Sequence, residues 1–466
     1  MAKSRSLFIK WAVCIILPII ILAAPTTATY TMEIKNFLAI TVFLIALFAA
    51  DILSAPCVAL LMPVSYVILL GVAPGAAFVA WTQPIPWMVL GSFILSYSLE
   101  KTGLLRRIAL RCVSLIGGSY VGIVVGIVLA GGIVSLAITD ISAKAVLFGT
   151  FALSVCKVLN FELGSRASAG LAVAVLIAIL DPGTLFLHGS TNMIVPLSIA
   201  AEAGMTHPTW MEFLYHMFVP HIIFIALCTI ALLIIFKPDA DTKAKMKTAR
   251  EGLAGELKAV GPLKMDEIKL IVICALMLIG ILTTGKLHDI HLGWIFLLAG
   301  IALLLPGVKL VTPPELAKCN LPFVIVIAAF LSMGAVSNSV GFGPFMSELA
   351  EPFITGSMHH IYAGVFIFGF VINLILTPLA AYSAFTAPVV MIAENLGVNP
   401  LPIVYTWSMT FEQIIFPFQF VPVLIIFGYG MISFKDMVKF NIIKSIISFA
   451  CIMTVYMGWW YMIGIL

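Results

Sequence analysis

Apolar residues form long runs along the whole chain, and polar residues are confined to short stretches between those runs. A helix needs about 20 apolar residues to cross the hydrocarbon core of a bilayer, and the longer runs approach that length. Shorter runs that flank a polar tip predict helical hairpins that enter and leave the membrane on one side. Because only helices and closed barrels satisfy the backbone in lipid, the pattern predicts an all-α polytopic membrane protein.

The stretch 183–192 interrupts this pattern with two glycine-hydroxyl pairs and an amide. Glycine lets the chain leave helical geometry, and non-helical backbone survives at membrane depth only where it lines an enclosed cavity. The freed carbonyls, the hydroxyls and the amide are oxygen ligands for a small hard cation, so a broken helix of a transporter is predicted here. We assign the cation to Gly189 and Asn192, and the substrate to Ser190, Thr191 and Asn192.

The two halves of the chain show the same order of features. An apolar helix turns at a glycine into an amphipathic stretch, and an apolar span, a polar tip and an interrupted helix follow. Paired repeats with discontinuous helices are typical of transporters, so we predict two inverted repeats with the site at their interface. The predicted boundaries are a transmembrane helix at 1–35, a first repeat at 36–236 with a tip at 139–145 and a broken helix at 183–192, a cytoplasmic linker at 237–269, and a second repeat at 270–466 with a tip at 381–387 and a broken helix at 416–430.

Basic and apolar residues alternate between Glu100 and Arg111, with Lys101, Arg106 and Arg107 among them. This composition predicts a helix that lies in the membrane surface. Positive residues favour the cytoplasmic side, so this stretch and the basic N-terminus are placed in the cytoplasm. A cleaved signal peptide is the alternative for the N-terminus, because small residues follow the first apolar run.

The two predicted tips carry hydroxyl groups suited to an anion: Thr139 and Ser142 in the first, Ser383 and Thr386 in the second. The positive ends of half-helices stabilise negative groups, and the hydroxyls would add hydrogen bonds to them. Thr139 and Ser383 are also candidate cation ligands. A purely structural role as helix caps is the alternative for each hydroxyl.

Asp140, Lys144 and Glu412 are ionisable residues in apolar surroundings, and such residues are usually functional. One interpretation gives Lys144 to a substrate carboxylate and Asp140 to a cation or a proton. The other is a structural ion pair, since residues four apart share a helix face. Glu412 either takes part in cation or proton coupling or satisfies backbone groups that Pro417 frees. His188 either titrates near neutral pH or packs against a backbone partner.

The composition excludes several classes of protein. The chain is 62% hydrophobic and 10% charged, whereas soluble domains average about 25% charged residues. A net charge of +4 is too mild to indicate nucleic acid as a partner. The eight cysteines are scattered singly, so neither a disulfide framework nor a metal site is predicted. Dense catalytic constellations are absent from the sequence, which argues against an enzyme.

These elements together resemble the divalent-anion/sodium symporter family, whose members carry dicarboxylates, citrate or sulfate. The resemblance runs from about residue 36 to the C-terminus, and it is strongest at 183–192, 416–430 and 432–437. It implies homodimers that work as elevators, substrate and sodium bound by two Ser-Asn-Thr tips, and an asparagine at a sodium site in each broken helix. The chain has Thr139-Asp140-Ile141 at the first tip, and Val423 replaces the second asparagine.

We therefore expect a secondary active transporter of a small anion, a di- or tricarboxylate or sulfate, with sodium as the coupling ion bound near Asn192. The expected location is the cell membrane, specifically a bacterial inner membrane, with a cytoplasmic N-terminus. Proton coupling or exchange of another small organic anion is the first alternative. An anion channel is the second, although the polar groups cluster at tips and breaks and do not form a continuous stripe.

Overall fold

The structure is a computed structural model that describes residues 2–50, 52–116, 119–239, 242, 255, 257–350 and 356–466. Among these residues the backbone forms helices and turns, without a β-strand. Five of the described helices are long and apolar enough to cross a bilayer: Ile141–Val158, Arg166–Leu185, Trp210–Ile235, Leu321–Ser339 and Phe434–Met462. The predicted class, an all-α polytopic membrane protein, is confirmed.

Helices follow one another with short connections in both halves of the chain. The first half contains α1 (Ala2–Ala23), α2 (Met32–Ala49), α3 (Ala55–Leu70), α4 (Pro74–Ala77), α5 (Pro84–Thr102), α6 (Leu104–Ile116), α7 (Tyr120–Ser135), α8 (Ile141–Val158), α9 (Arg166–Leu180), α10 (Thr191–Glu202) and α11 (Trp210–Ile235). The second half contains α12 (Met265–Thr283), α13 (Leu292–Ala302), α14 (Leu321–Ser339), α15 (Phe342–Ala350), α16 (Met358–Ile375), α17 (Pro378–Asn395), α18 (Pro400–Thr410), α19 (Val421–Gly428), α20 (Phe434–Cys451) and α21 (Met457–Met462).

The order of features predicted for the two halves is present in the helices. The series α5 to α10 and the series α14 to α19 each consist of a long helix, an amphipathic helix, a hairpin of two helices, a further helix, a 3₁₀ turn and a final helix. Gly103 and Gly341 end the first helix of each series, and both have a φ of 76°. That left-handed conformation favours glycine, and it turns the chain at the same point of each series. The inverted orientation of the two series remains a prediction.

The first hairpin turn lies close to its predicted place, and the second does not. Helix α7 ends at Ser135 and α8 begins at Ile141, so the turn overlaps the predicted tip at 139–145. The predicted tip at 381–387 is wrong, because α17 already begins at Pro378 and these residues lie within the helix. Proline is favoured at the first helical position and disfavours helical backbone in the preceding residue, so Pro378 places the turn at Leu376 and Thr377.

The second helix break begins earlier than predicted. Helix α18 ends at Thr410, a 3₁₀ turn covers Pro417–Gln419, and α19 runs from Val421 to Gly428. The break therefore covers about 411–420, and the later part of the predicted broken helix 416–430 is regular helix. The prediction took Pro417 and Pro422 as helix breakers. Both lie at helix starts, where a backbone N–H has no helical partner and its absence is tolerated. The first break covers 181–190 and overlaps the predicted stretch 183–192.

The chain divides into two compact units, and each contains segments from both halves. Unit 1 comprises Met1–Trp87, Val195–His207 and Asn320–Ser408, and unit 2 comprises Met88–Ile194, Pro208–Cys319 and Met409–Leu466. The core of unit 1 is built from α2, α3 and α14 around side chains such as Phe37, Tyr66 and Phe330. The predicted domain boundaries, which follow the repeats, remain predictions.

Helix α9 forms the centre of unit 2. Every residue from Ala167 to Leu180 is buried, and α7, α8 and α11 pack against this helix. A helix that is apolar on all sides is stable only when other helices cover it completely. Because α9 runs directly into the first break at Asp181, that break lies within protein, and its backbone is screened from lipid.

Candidate functional site

Two glycines hold the first break in its shape. A Cβ atom added to Gly183 would collide with the carbonyl oxygen of Gly189, and one added to Gly189 would collide with the carbonyl oxygen of Gly183. The two backbone segments therefore approach each other more closely than any side chain allows. The two glycines thus let the backbone at 183 pack directly against the backbone at 189. The Gly189 carbonyl is directed into the protein.

The Lys144 ammonium lies against this crossing. Its Nζ donates hydrogen bonds to the Gly189 carbonyl oxygen at 3.1 Å and to Ser135 Oγ at 3.1 Å, and the side chain is completely buried. Helix α8 brings Lys144 to the break, because one turn separates it from the helix start at Ile141. The lysine that the sequence singles out therefore contacts the first broken helix directly.

Asp140 caps a helix, and the ion pair with Lys144, one of the two interpretations of this spacing, is not among the ion pairs of the described residues. Its carboxylate accepts hydrogen bonds from the backbone N–H groups of Ser142 at 2.9 Å and Ala143 at 3.3 Å, as an N-cap of α8. A residue that precedes a helix folds its side chain back onto the first turn, whereas Lys144 projects from the helix body. The spacing of four therefore does not bring the two charges together. Ser142 is half-buried beside this cap.

The two helix breaks meet in unit 2. Ser190 Oγ, at the end of the first break, donates a hydrogen bond to Glu412 Oε1 at 3.0 Å, across 222 residues of sequence. Ser190 Oγ also accepts a weak bond from the Asn192 backbone N–H at 3.3 Å. The second carboxylate oxygen of Glu412 is buried and has no hydrogen-bond partner among the described residues. A carboxylate from the second break thus faces the start of α10, close to the half-buried Thr191.

A buried ion pair lies beside this contact, and the prediction from sequence did not include it. Lys444 Nζ of α20 lies 2.6 Å from Asp181 Oδ1 and also donates to the Glu412 carbonyl oxygen at 3.3 Å. His221 Nε2 donates to the Asp181 carbonyl oxygen at 2.7 Å, and its Nδ1 accepts from the Tyr456 hydroxyl at 2.5 Å. Both charges were visible in the sequence, Lys444 within an apolar run and Asp181 beside the break. The rule that ionisable residues within spanning segments are functional would have found them.

His188 is a packed histidine whose two nitrogens both have partners. Its Nδ1 accepts from the Trp210 indole N–H at 3.0 Å, so Nε2 carries the proton that it shares with the Leu136 carbonyl oxygen at 3.1 Å. The ring also stacks on Phe186. These contacts define one neutral tautomer, and they match the second of the two interpretations given above.

Two buried hydroxyls of unit 2 have no hydrogen-bond partner among the described residues. They are Thr139 Oγ1, at the first hairpin turn, and Thr184 Oγ1, in the first break. The Thr139 backbone N–H, in contrast, donates to Ser92 Oγ at 2.9 Å. Buried polar groups are nearly always satisfied, so each such exception calls for an explanation such as a ligand, an ion or a water.

Ser383 and Thr386 belong to unit 1. Thr386 Oγ1 accepts a hydrogen bond from the Trp407 indole N–H at 3.0 Å, and the Trp407 ring stacks on Phe368. Ser383 Oγ is buried without a partner among the described residues. Both residues lie inside α17, away from its start, so neither hydroxyl caps backbone groups.

Comparisons with known proteins agree with this architecture. The family model described as sodium:sulfate symporter transmembrane region matches residues 5–466. The chain is 24% identical over 283 residues to dicarboxylate transporter 1, chloroplastic, of Spinacia oleracea, which covers 59% of this chain and 48% of that protein. It is 28% identical over 203 residues to dicarboxylate transporter 2.1, chloroplastic, of Arabidopsis thaliana, which covers 41% of this chain and 35% of that protein.

A protein of Cupriavidus necator named only as a membrane protein is 21% identical over 347 residues, covering 71% of this chain and 67% of its own length. The match to the chloroplast relatives extends over about half of their length or less. The match over almost the whole chain, together with the helix breaks and hairpins, shows that this protein belongs to the sodium:sulfate symporter family.

Proposed function

We propose that this protein is a secondary active transporter that carries a small dicarboxylate across the cell membrane. The observation that carries the proposal is the hydrogen bond between Ser190 and Glu412, which joins the two helix breaks inside one unit. Discontinuous helices that meet in the protein interior form substrate sites in transporters, because their freed backbone groups and end dipoles recognise ions. A channel would require a continuous polar path, which the contact between Ser190 and Glu412 does not by itself provide.

Two positive groups at the first break support an anion as the substrate. They are the Lys144 ammonium and the N-terminal end of α10, where the helix dipole attracts anions. The start of α8 is less suited to an anion, because the Asp140 carboxylate already accepts its N–H groups. The names of the chloroplast relatives also favour dicarboxylates. The predicted substrate residues that belong to unit 2 are Thr139, Asp140, Ser142, Lys144, Ser190, Thr191 and Asn192. Ser383 and Thr386 belong to unit 1, and their part in substrate binding stays a prediction.

The mode of transport is part of the same proposal. Two inverted repeats, a homodimer and an elevator motion would let one unit carry the site across a bacterial inner membrane, with the N-terminus in the cytoplasm. The repeated order of helices, from α5 to α10 and from α14 to α19, supports this arrangement. Tricarboxylates and sulfate are the competing substrates within it.

Reconstitution into liposomes tests the substrate class. Purified protein should take up radiolabelled C4 or C5 dicarboxylates at least about tenfold faster than monocarboxylates when a dicarboxylate, sodium or proton gradient is imposed. Citrate and sulfate are the decisive competitors. Transport of sulfate alone, or ion conduction without saturation, would contradict the proposal. Liposomes without protein provide the background rate.

A pair of isosteric variants tests the site within this experiment. Thr139→Val removes a buried hydroxyl that has no protein partner, so the thermal stability should not fall. If that hydroxyl binds substrate, the loss of about 1 kcal/mol should weaken substrate binding roughly fivefold. The control is Thr150→Val on the exposed side of α8, whose hydroxyl bonds only to the Leu147 carbonyl oxygen at 3.0 Å. Equal transport by the two variants would remove Thr139 from the site.

A further inference from the structure

We propose that unit 1 contains a site for an anionic phospholipid, whose acyl chain lies in a groove along α1 and α2 and whose headgroup meets the Lys10 ammonium. The groove is a cavity of about 470 Å³, a volume within the range of ligand-binding sites in proteins. Its lining residues all belong to unit 1, and the residues of the two helix breaks are not among them. The lipid site is therefore separate from the proposed substrate site of unit 2.

The groove has the length of an acyl chain. On α1 the lining residues recur every three or four positions, which places them on one face of the helix; they are Lys10, Val13, Cys14 and Leu17. On α2 the lining extends from Phe37 to Ala50, and these thirteen steps at a rise of 1.5 Å correspond to about 20 Å. One leaflet is about 15 Å deep, because the hydrocarbon core is about 30 Å thick. A chain that spans one leaflet therefore fits along the groove.

The wall of the groove is almost entirely hydrocarbon. Among the described lining residues, Lys10 and Thr41 alone have a nitrogen or oxygen atom in the side chain. Thr41 Oγ1 forms a hydrogen bond with the Tyr66 hydroxyl at 2.8 Å, so its polar group already has a partner. Water occupies a cavity only where several polar groups hold it, and an apolar cavity stays dry. An apolar chain is therefore the occupant that this wall fits.

Lys10 provides a positive charge at one end of the groove. Its Nζ donates to the Ala50 carbonyl oxygen at 2.6 Å, which places the ammonium at the C-terminal end of α2. An ammonium has three N–H donors, and no carboxylate of the described residues forms an ion pair with Lys10. Basic pockets between transmembrane helices on the cytoplasmic side bind anionic headgroups. The basic N-terminus is predicted to lie on that side, so the charge stands where a lipid phosphate would be.

The groove opens towards the bilayer on the side of α1. Val13 and Leu17 line the cavity, and they are nevertheless 49% and 41% exposed. In a protein that spans a membrane, exposed apolar side chains at hydrocarbon depth contact lipid. A molecule of the surrounding leaflet can thus enter sideways, whereas a water-soluble ligand has no polar route to this wall. These features favour a phospholipid such as phosphatidylglycerol over a soluble anion.

The opposite wall connects the lipid to the second hairpin. It includes Leu376 in the hairpin turn and Ala384 and Phe385 in α17. The Phe385 ring packs edge-on against the Trp407 ring, and the Trp407 indole N–H donates to Thr386 Oγ1 at 3.0 Å. A bound chain would therefore support the hairpin helix and should increase the rate of transport. This effect on transport rests on the proposed function, whereas the lipid site does not.

Mass spectrometry of the intact purified protein tests the site. From equal amounts of phosphatidylglycerol and phosphatidylcholine with the same acyl chains, the wild type should retain one phosphatidylglycerol per chain with about fivefold preference, because the ammonium attracts an anionic headgroup. Lys10→Gln should abolish the preference, and Lys10→Arg should keep it. Ala46→Leu adds atoms to the groove, so it should lower the retention of both lipids without lowering the melting temperature.

Two exposed positions provide matched controls. Lys157→Gln removes a positive charge from α8, and Ile16→Phe enlarges a side chain of α1 that does not line the groove. Both should retain phosphatidylglycerol as the wild type does. Equal preference in the wild type and Lys10→Gln would overturn the inference, as would retention of free oleate in place of phosphatidylglycerol. So would a changed oligomeric state of Ala46→Leu with unchanged lipid retention, because a second copy of the chain would then occupy the groove.

Uptake by liposomes tests the effect on the hairpin. Dicarboxylate uptake by the wild type should be at least about twofold faster in phosphatidylcholine with one part in five of phosphatidylglycerol than in phosphatidylcholine alone. Lys10→Gln should not respond to phosphatidylglycerol, and Lys157→Gln should respond like the wild type. Uptake that is the same in both lipids for the wild type would overturn the link to the hairpin. If no dicarboxylate is carried at all, the proposed function fails, and the mass spectra still decide whether the lipid site exists.

Discussion

At the scale of single residues, unit 2 contains two buried lysines that perform different tasks. Lys444 is bound in an ion pair with Asp181, and this pair is joined to the second break through the Glu412 carbonyl. Lys144 donates its hydrogen bonds to neutral oxygens, and the Glu412 and Asp140 carboxylates attract it without forming an ion pair among the described residues. A buried charge is tolerated when partners replace its hydration. We infer that Lys444 is structural, and Lys144 stays the lysine proposed to contact a transported anion.

The pair of Lys444 with Asp181 predicts how the loss of either charge changes the stability of the protein. Lys444→Met leaves the Asp181 carboxylate buried without its partner and should cost about 3–5 kcal/mol of stability. The double variant Asp181→Asn, Lys444→Met should recover most of that loss, because no unpaired charge remains. Thermal melting of the single and double variants measures this. Lys439→Met, at an exposed position of the same helix, is the control. Equal destabilisation of the single and double variants would show that the pair has another role.

At the scale of elements, the first break depends on glycine at two positions. Gly183→Ala and Gly189→Ala should each displace the backbone, because the added methyl group would meet a carbonyl oxygen and has no space to rotate away. Both variants should melt several degrees lower than the wild type and lose nearly all transport. The measurement is melting together with dicarboxylate uptake.

Gly132→Ala on the neighbouring helix α7 is the matched control for these variants. Its Cβ atom would lie 3.7 Å from Pro182 Cβ, which is an ordinary contact. Alanine also has a higher helix propensity than glycine, by about 1 kcal/mol. The control should therefore melt at the wild-type temperature or above it. Normal transport by Gly183→Ala would mean that the break relaxes more easily than the close approach indicates.

At the scale of the whole molecule, two ion pairs connect segments that are far apart in sequence. Arg107 was predicted to lie in the membrane surface, but it is buried: its Nε lies 2.8 Å from Glu267 Oε1, and its Nη1 donates to the Gly261 carbonyl oxygen at 2.6 Å. Lys101 pairs with Glu315 at 2.8 Å. Partners within and after the predicted linker thus explain Lys101 of α5 and Arg107 of α6.

The Glu315 contact predicts how stability depends on pH. The Lys101 ammonium, and after it the N–H and hydroxyl of Thr312, lower the pKa of Glu315 to about 2, whereas a free glutamate has a pKa of about 4.3. Because the folded-state pKa is the lower one, this contact contributes fully above about pH 4.3, and its contribution is lost as the pH falls towards 2. The melting temperature should therefore fall over this range, and it should fall less in Glu315→Gln.

Melting curves recorded from pH 7 to pH 2 measure this prediction. Glu394→Gln, which removes an exposed carboxylate outside both contacts, is the control and should follow the wild type. An identical pH profile for the wild type and Glu315→Gln would show that the Lys101 contact does not contribute to stability in solution.

The sequence by itself determined the membrane class, the order of helices and the first break, since each depends on neighbours within a few residues. Hydropathy over one span decides whether a helix crosses lipid, and the glycines at 183 and 189 release the backbone locally. The same short-range reasoning misplaced the second turn. The hydroxyl residues Ser383 and Thr386 suggested a turn, but the helix already begins at Pro378.

Only the tertiary structure decided which polar groups meet. Lys144 and Gly189 are 45 residues apart, and Ser190 and Glu412 are 222 apart. Hydropathy contains no information about such distances, because pairing depends on how complete helices pack around α9. The spacing of Asp140 and Lys144 indicated a pair that the start of α8 prevents, since the carboxylate caps the helix. Whether a buried charge is paired or available to a ligand is therefore decided by packing, and packing placed Lys144 on the Gly189 carbonyl.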